Sequence, residues 1–523
     1  PRAISTFLQR AGRANHRVGG VPTARLFPLS RHELVEAVAL LDAVQRGELD
    51  VLHIPHEPID VLMQQLVAEV STRADDSPDE LFAMVRGAYP YRDLPRPMFD
   101  EALEFISRGV FTGRGQRGQQ LSLDPINRVI RPRRSAKHAA ILNGGTIPDL
   151  GDYNVIVDPD NTVVGQLSED FAIESSVGDV FLLGTHAWRV VRVEQSSVRV
   201  VDAEGAEPSV PFWFGESPAR TWELSYAVSR LYDDLVDSLT IRNVVAAKER
   251  LVSIPGVSGE AAQQVVTFLS LSLDSLGVLP SQRRIVIERF FDETGSTQLV
   301  FHTPFGARVN RALGLALRKR FCVTFDFELQ AAADDDAITI ALGPHHSMEL
   351  STIMPMVRVS TVRSVLEQAV LPLPMLKTRW RWNAVRSLVI SRTVSGARRP
   401  IQWIRMEADD LMAAVWPSLA ACQENAPAGP IPIPDHVLVQ QTLKDVFFEP
   451  LDVANLEELL ARVDSGEIEI VGVDTATPSP LAQGILTGRP YTFLDDAPLE
   501  ERRSRAVSLD RSTPALGADG LPE

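Results

Sequence analysis

Cysteine is almost missing from this 523-residue chain: only Cys322 and Cys422 occur, far apart. Such a pair builds no disulfide framework and fits a reducing, cytoplasmic setting. No run approaches the roughly 18 apolar residues that span a bilayer. The opening PRAISTFLQRAG lacks the long apolar stretch of a signal peptide. No membrane partner is therefore expected. Positive charge is also short, with 52 Lys and Arg against 68 Asp and Glu and a formal net charge of −16. That balance disfavours indiscriminate binding to polyanions, so any nucleic-acid role must rest on local basic patches. Internal repeats at a solenoid period are absent.

Several chemistries are missing too. The chain has no G-x-x-x-x-G-K-[ST], so nothing in it cradles a triphosphate beside a lysine, and it is not expected to hydrolyse ATP alone. No G-x-S-x-G appears, and neither cysteine has the surroundings of a nucleophile. His345-His346 and the scattered histidines lack ligand spacing, so no metal site is expected. Asp334-Asp335-Asp336 reads as a solvated polar turn, and Asp495-Asp496 and Glu500-Glu501 as helix-start charges.

What is present is ordinary globular patterning over three or four domains. Ser30-Arg31-His32-Glu33 is a capping box before an apolar helical stripe that Gly47 ends. Residues 59–71, a Ser77-Pro78-capped stretch and 96–109 read as further helices. The basic, glycine-rich 110–123 then reads as a hairpin. Helices before a basic hairpin fit a winged helix, and equally a small helical domain with a loop. From about 150 the period becomes two. Asp158-Pro159-Asp160-Asn161 marks one turn and 188–205 a second hairpin, predicting a small barrel or sandwich. Residues 224–292 read as helical, 297–345 as strands around a helix at 307–320, 355–465 as mostly helical, and 468–475 as a strand. The last twenty residues read as a frayed tail.

Two kinds of pattern carry chemistry. Gln9-Arg10-Ala11-Gly12-Arg13 has the form Q-R-x-G-R. In a nucleic-acid motor, such an arginine reaches phosphate bound on another domain, where it stabilises charge on the transferring phosphoryl group. The plain alternative is a basic helix face at a terminus. Three basic clusters could meet a nucleic-acid backbone: Arg128, Arg131, Arg133, Arg134 and Lys137; the helix with Arg308, Arg311, Arg318, Lys319 and Arg320; and 377–386, where Trp380 and Trp382 interleave with arginines. Each could instead be a solvated or acid-paired face, and for the third a core role of the tryptophans is favoured. Pro211-Phe212-Trp213-Phe214-Gly215 is either a plug or a stacking platform.

Taken in order, these stretches resemble the Lhr (large helicase-related) family of superfamily 2 DNA helicases. FLQRAGRANHRVG resembles its motif VI; NGGTIPDLGDY (143–153), PFWFGE (211–216), ERFFDE (288–293), HTPFGARVNRALGLALRKRF (302–321), FDFELQAAADDD (325–336), TRWRWNA (378–384), ACQEN (421–425), IPDH (433–436) and the block at 478–503 follow. The resemblance implies an α+β multidomain chain. Its parts would be the end of a second RecA-like lobe (1–29), a helical or winged-helix domain (30–138), a small β-barrel (139–224), a mixed helical and α/β C-terminal domain (225–503) and a flexible tail (504–523).

It further implies the accessory DNA-binding half of an ATP-dependent 3′-to-5′ helicase. ATP and Mg²⁺ would be held by N-terminal lobes that this chain lacks. Gln9 and Arg13 would act on the nucleotide, with Arg10 and Gly12 beside them. Arg131, Arg133, Arg134, Lys137, Arg308 and Arg311 would meet DNA, and Trp213 would stack on a base. Single-stranded or tailed duplex DNA is the expected partner, with an RNA–DNA hybrid a further candidate. One departure stands out: Gly12-Arg13 is followed by Ala14-Asn15-His16, where the family pattern commonly has another Gly and Arg or His. Asn tolerates left-handed backbone, so the turn is expected to survive. The first residue is Pro, and a motif begins within ten residues, which together suggest a chain cut from something longer. Two other readings stand beside this one. One is a freestanding single-strand-binding module. The other is an inactive remnant whose Ile4, Phe7, Leu8 and Val18 would lie exposed.

Overall fold

The structure is a computed structural model. It describes residues 1–486 except 16, 18, 74–75, 149–150, 169–171, 173–174, 184–185, 195, 205, 207–218, 292–294, 326–329, 343–347, 395 and 421–428. Among the described residues no helix is long and apolar enough to cross a membrane. The chain forms two compact units, each assembled from non-consecutive segments: 1–52, 214–369 and 451–523 in the first, 53–213 and 370–450 in the second.

The first unit joins a helical core to a mixed sheet. Ser30 accepts the Glu33 amide, and Glu33 in turn accepts the Leu29 amide, so the helix Arg31–Gln45 starts where the capping box predicts. Its Val35, Val38, Ala39 and Leu40 pack against the helices Trp222–Thr240 and Gly259–Leu276. Ile4 is fully buried in the same core, with Phe7 and Leu8 partly buried against it. The expectation that these three lie exposed is therefore corrected: they have a partner surface within the unit. Val18 is outside the described residues.

The five-stranded sheet runs Gln330–Ala333, Ala337–Leu342, Thr297–His302, Arg284–Phe291, Glu469–Asp474. The last pair is parallel and the others antiparallel. Residues 284–291 are a strand, not the end of a helical region as 224–292 suggests. RIVIERFF sits inside the sheet with Ile285, Val286, Ile287 and Glu288 all buried, so its near-continuous apolar run has no strand alternation to betray it.

In the second unit, helices Ile59–Val70, Pro78–Arg86 and Arg96–Arg108 precede two hairpins. The glycine-rich stretch pairs Val110–Thr112 with Gly115–Arg117. A second hairpin, Leu121–Asp124 with Val129–Pro132, bridges back to Asp76 between the first two helices. That is the winged-helix plan, with the wing turn at 125–128 and not in the glycine-rich stretch. The helices Pro374–Arg386 and Val437–Phe448 pack on Ile59–Val70. Arg386 lies 2.7 Å from buried Asp60, and Gln441 accepts the Ile59 amide.

The period-two segment forms a five-stranded sheet in the order Thr162–Ser168, Asp152–Val157, Ser197–Asp202, His186–Val193, Val180–Leu183. Its edge strands approach where Gly165 faces Leu183, but among the described residues they are not paired. The sheet is curled and open rather than the expected closed barrel.

Candidate nucleic-acid interface

Gln9, Arg10, Gly12 and Arg13 share one end of the helix Ile4–Gly12, and all four are exposed. The other end is held. Ala3, at the N-cap, offers no side-chain acceptor, and Asp50 supplies one from elsewhere by accepting the Ser5 amide at 2.7 Å. Burial works to raise the Asp50 carboxyl, but hydrogen bonds from Thr221 and Ser5 outweigh it and hold it below the usual range. Beyond Arg13 the chain turns at Asn15, whose φ of 52° is left-handed and whose side chain donates to the Val21 carbonyl. The substitution of Asn for Gly at this turn is thus accommodated. His16 is outside the described residues.

Many charges of the winged helix are paired off: Arg96 lies 2.8 Å from Asp100 and 2.6 Å from Asp79, and Arg108 pairs with Glu104. The exposed face of its third helix, Arg96–Arg108, carries Asp100, Glu101 and Glu104. With two arginines against three carboxylates, this helix carries no excess of positive charge with which to meet phosphates in a major groove. The wing and the segment after it are basic. Arg128 pairs with Asp79 at 3.1 Å, and the Arg133 side chain donates to the Leu121 carbonyl. Arg131, Arg133, Arg134 and Lys137 are exposed, the last on the helix Ala136–Asn143. Among the described residues Arg134 and Lys137 have no ion-pair partner. This is the patch best placed to meet a phosphate backbone.

The other clusters behave differently. Arg308 and Arg311 are half-buried on the helix Ala307–Phe325, and Arg308 lies 3.9 Å from Asp452. Six consecutive residues of that helix, 312–317, are buried, so it is a core element with a basic edge. Trp380 is fully buried and donates to the Ala408 carbonyl at 2.8 Å; Arg379 covers the ring of Trp382. Trp380 is therefore a core residue, while Trp382 is half-buried. Trp213 and the whole 211–215 block lie outside the described residues, as do His345, His346 and Cys422.

Asp334-Asp335-Asp336 is not a solvated turn. Asp336 takes a hydrogen bond from buried Arg220, and Asp335 accepts the amides of Arg220 and Ala307 at 2.9 Å each. Burial together with Asp336 pushes the Asp334 carboxyl up to about 7. Glu288 is buried with four donors: Thr475, the Ser479 amide and hydroxyl, and the His302 ring at 2.8 Å. Glu, not His, sits between Ser and the third member, so the trio lacks the order of a nucleophilic triad and ties strands together instead. No local pattern marks Arg220 or Glu288, because their partners are far away in sequence. The pair Arg398-Arg399 is not singled out by the sequence either. With Arg392, Asp152 and Tyr153 it lines a pocket of about 200 Å³ in the second unit. No group of three or more His, Cys, Asp or Glu among the described residues could hold a metal.

Residues 42–210 match the model of the large helicase-related protein winged helix domain, and 279–482 the DEAD/H associated model. The Lhr helicase/uracil glycosylase of Escherichia coli is 31% identical over 98% of this chain and 32% of its own length. A Mycolicibacterium smegmatis relative, the Lhr helicase/probable uracil glycosylase, is also 31% identical, over 98% and 33%. The ATP-dependent helicase Lhr-Core of Saccharolobus solfataricus is 26% identical over 93% of this chain and 54% of its own. A solved structure, Mycobacterium smegmatis helicase Lhr bound to ssDNA and AMP-PNP, superposes with a TM-score of 0.68 at 26% identity, covering 93% of this chain and 55% of that one. The chain spans about a third of the length of the first two relatives and about half of the third.

Proposed function

Because the chain belongs to the large helicase-related family, we propose that it is the accessory, strand-holding half of an ATP-dependent DNA helicase that moves 3′ to 5′. In this reading residues 1–29 close a second RecA-like lobe. Gln9 and Arg13 face phosphate held by lobes upstream, with Arg10 and Gly12 completing the turn. Hydrolysis of the nucleotide would supply the free energy. Arg13 would stabilise charge on the transferring phosphoryl group, and Gln9 would hydrogen-bond the phosphates or the attacking water. The strand would run along Arg131, Arg133, Arg134 and Lys137, with Arg308 and Arg311 as further contacts and Trp213 stacking on a base. Single-stranded or tailed duplex DNA is the substrate class, an RNA–DNA hybrid a second candidate, and the cytoplasm the place of action.

The observation that carries this reading is the exposure of Gln9 and Arg13 together at the free end of an anchored helix, in a chain without a P-loop. Support comes from the relative whose structure holds ssDNA and a nucleotide analogue. The test has two parts. The purified chain should bind single-stranded DNA with salt-sensitive affinity yet show no ATP turnover. Trp213→Ala should weaken that affinity by about 1–3 kcal/mol, the worth of one base stack. Robust turnover by the chain itself, or unaltered binding by the variant, would contradict the corresponding assignment. A freestanding binding module would also bind DNA. What separates the two is whether Arg13→Ala abolishes hydrolysis in protein carrying the lobes.

A further inference from the structure

The helix that bears Gln9 and Arg13 has little hold of its own. It is nine residues long, about 13 Å by the usual rise, and uncapped by its own sequence. Helices this short are marginal unless something outside fixes them. Two residues do so here. Asp50 bridges two helix starts, accepting the Ser5 amide at 2.7 Å through one oxygen and the Thr221 hydroxyl at 2.6 Å through the other. Thr221 is the N-cap of Trp222–Thr240, and its amide donates to the Arg2 carbonyl at 2.9 Å. The Arg2 side chain pairs with Glu36 at 2.8 Å and Asp335 at 3.1 Å. Asp335 also accepts the first amide of the helix Ala307–Phe325. Through these contacts the motif helix is tied to three others and to the turn beside the sheet. Ile4 at 0% exposure locks the same end apolarly.

We propose that Asp50 and Arg2 are positioning residues for Arg13. They hold the start of the helix Ile4–Gly12 and thereby fix where its far end presents Gln9 and Arg13. Neither touches the phosphate. A rigid short helix converts a tilt at its start into a displacement of about an ångström or more at its end, and misplacement of that size costs catalysis heavily. An arginine needed mainly in the transition state loses its effect on turnover before its effect on nucleotide binding. The inference rests on reading Gln9 and Arg13 as phosphate-facing.

The experiment uses Asp50→Ala, Asp50→Asn, Arg2→Ala and Arg13→Ala in protein carrying the ATP-binding lobes, with DNA-stimulated ATP hydrolysis as the readout. Hydrogen exchange of residues 4–12 in the present chain accompanies it. Asp50→Ala and Arg2→Ala should lower kcat by about tenfold or more, leave KM for ATP and the affinity for single-stranded DNA unchanged, and speed exchange only near 4–12. Asp50→Asn keeps an acceptor for the Ser5 amide and should recover most of kcat. If Arg13→Ala abolishes turnover while Asp50→Ala and Arg2→Ala leave kcat intact, the positioning role is overturned and the phosphate reading stands. If Arg13→Ala itself leaves kcat unchanged, the phosphate reading fails and this inference with it. Exchange that quickens across the whole first unit would mean a general folding role, and would likewise overturn positioning.

Discussion

Ser479 grips Glu288 twice: its hydroxyl donates to one carboxylate oxygen at 2.6 Å and its amide to the other at 2.7 Å. Both residues are fully buried, and they lie 191 positions apart. The contact fastens the segment after the parallel edge strand Glu469–Asp474 to the interior strand Arg284–Phe291. Burial works against the charged carboxylate, but hydrogen bonds from His302 and Ser479 outweigh it and hold Glu288 below its ordinary range. Ser479→Ala removes one donor to a buried charge and should cost about 1.5–3 kcal/mol. Glu288→Ala strands the His302 ring, the Thr475 hydroxyl and the Ser479 amide together, and should cost about 3–5 kcal/mol. Urea unfolding of the first unit reads both. Equal losses for the two variants would show that the other donors do not matter.

Gly306 has φ +90°, and a β-carbon there would lie 2.8 Å from the Arg220 carbonyl oxygen and 3.0 Å from the Ser225 hydroxyl. Strained backbone and a clash with backbone add. Gly306→Ala should therefore lose about 2–4 kcal/mol, seen as a lowered urea midpoint with an unchanged slope. A midpoint within error of the parent would show that Arg220 moves aside freely.

His436 caps the helix Val437–Phe448 through Nδ1, and its ring meets Phe105 edge-on. Burial alone pushes it down to about 4 from an ordinary 6.5. Between those values the unfolded chain binds the proton and the folded one does not. Folding stability from this group is therefore full above about 6.5 and lost as pH falls toward 4. Asp445, pushed up to about 6 by burial, works in the opposite direction over part of that window, so the useful quantity is a difference. Wild type minus His436→Asn, which keeps a capping oxygen, should decline steadily in stability from pH 6.5 to 4. A pH-independent difference would mean the histidine is not buried neutral.

Replacing Arg133, Arg134 and Lys137 with alanine should weaken single-strand binding uniformly across sequences. Each lost phosphate contact should reduce the slope of log affinity against log salt by about 0.7. Matching changes at Asp100, Glu101 and Glu104 on the third helix should strengthen binding or leave it alone. A loss of affinity from neutralising those acids would reverse the assignment of which face meets the strand.

Local chemistry by itself determined much of this protein. Ser30 and Glu33, Ser77-Pro78 and the Asp158–Asn161 turn placed element starts and turns, because caps and turns depend on a few adjacent residues. Ordered sequence blocks pointed to the family. The plain alternative for Gln9–Arg13, an exposed basic helix face, is what the chain forms there, and Trp380 is the core residue favoured for 377–386. Tertiary structure decided the rest. RIVIERFF became a strand because Thr297–His302 and Glu469–Asp474 pair with its two edges, whereas an apolar run alone fits a buried strand and a helix equally. Asp334–Asp336 became an internal junction because Arg220 and Arg2, far away in sequence, arrive to meet it. The wing moved to 121–132 because Asp76 pairs there, a choice made by long-range register and not by glycine content. Local signals are written in neighbouring residues; burial, register and charge pairing exist only once distant segments meet.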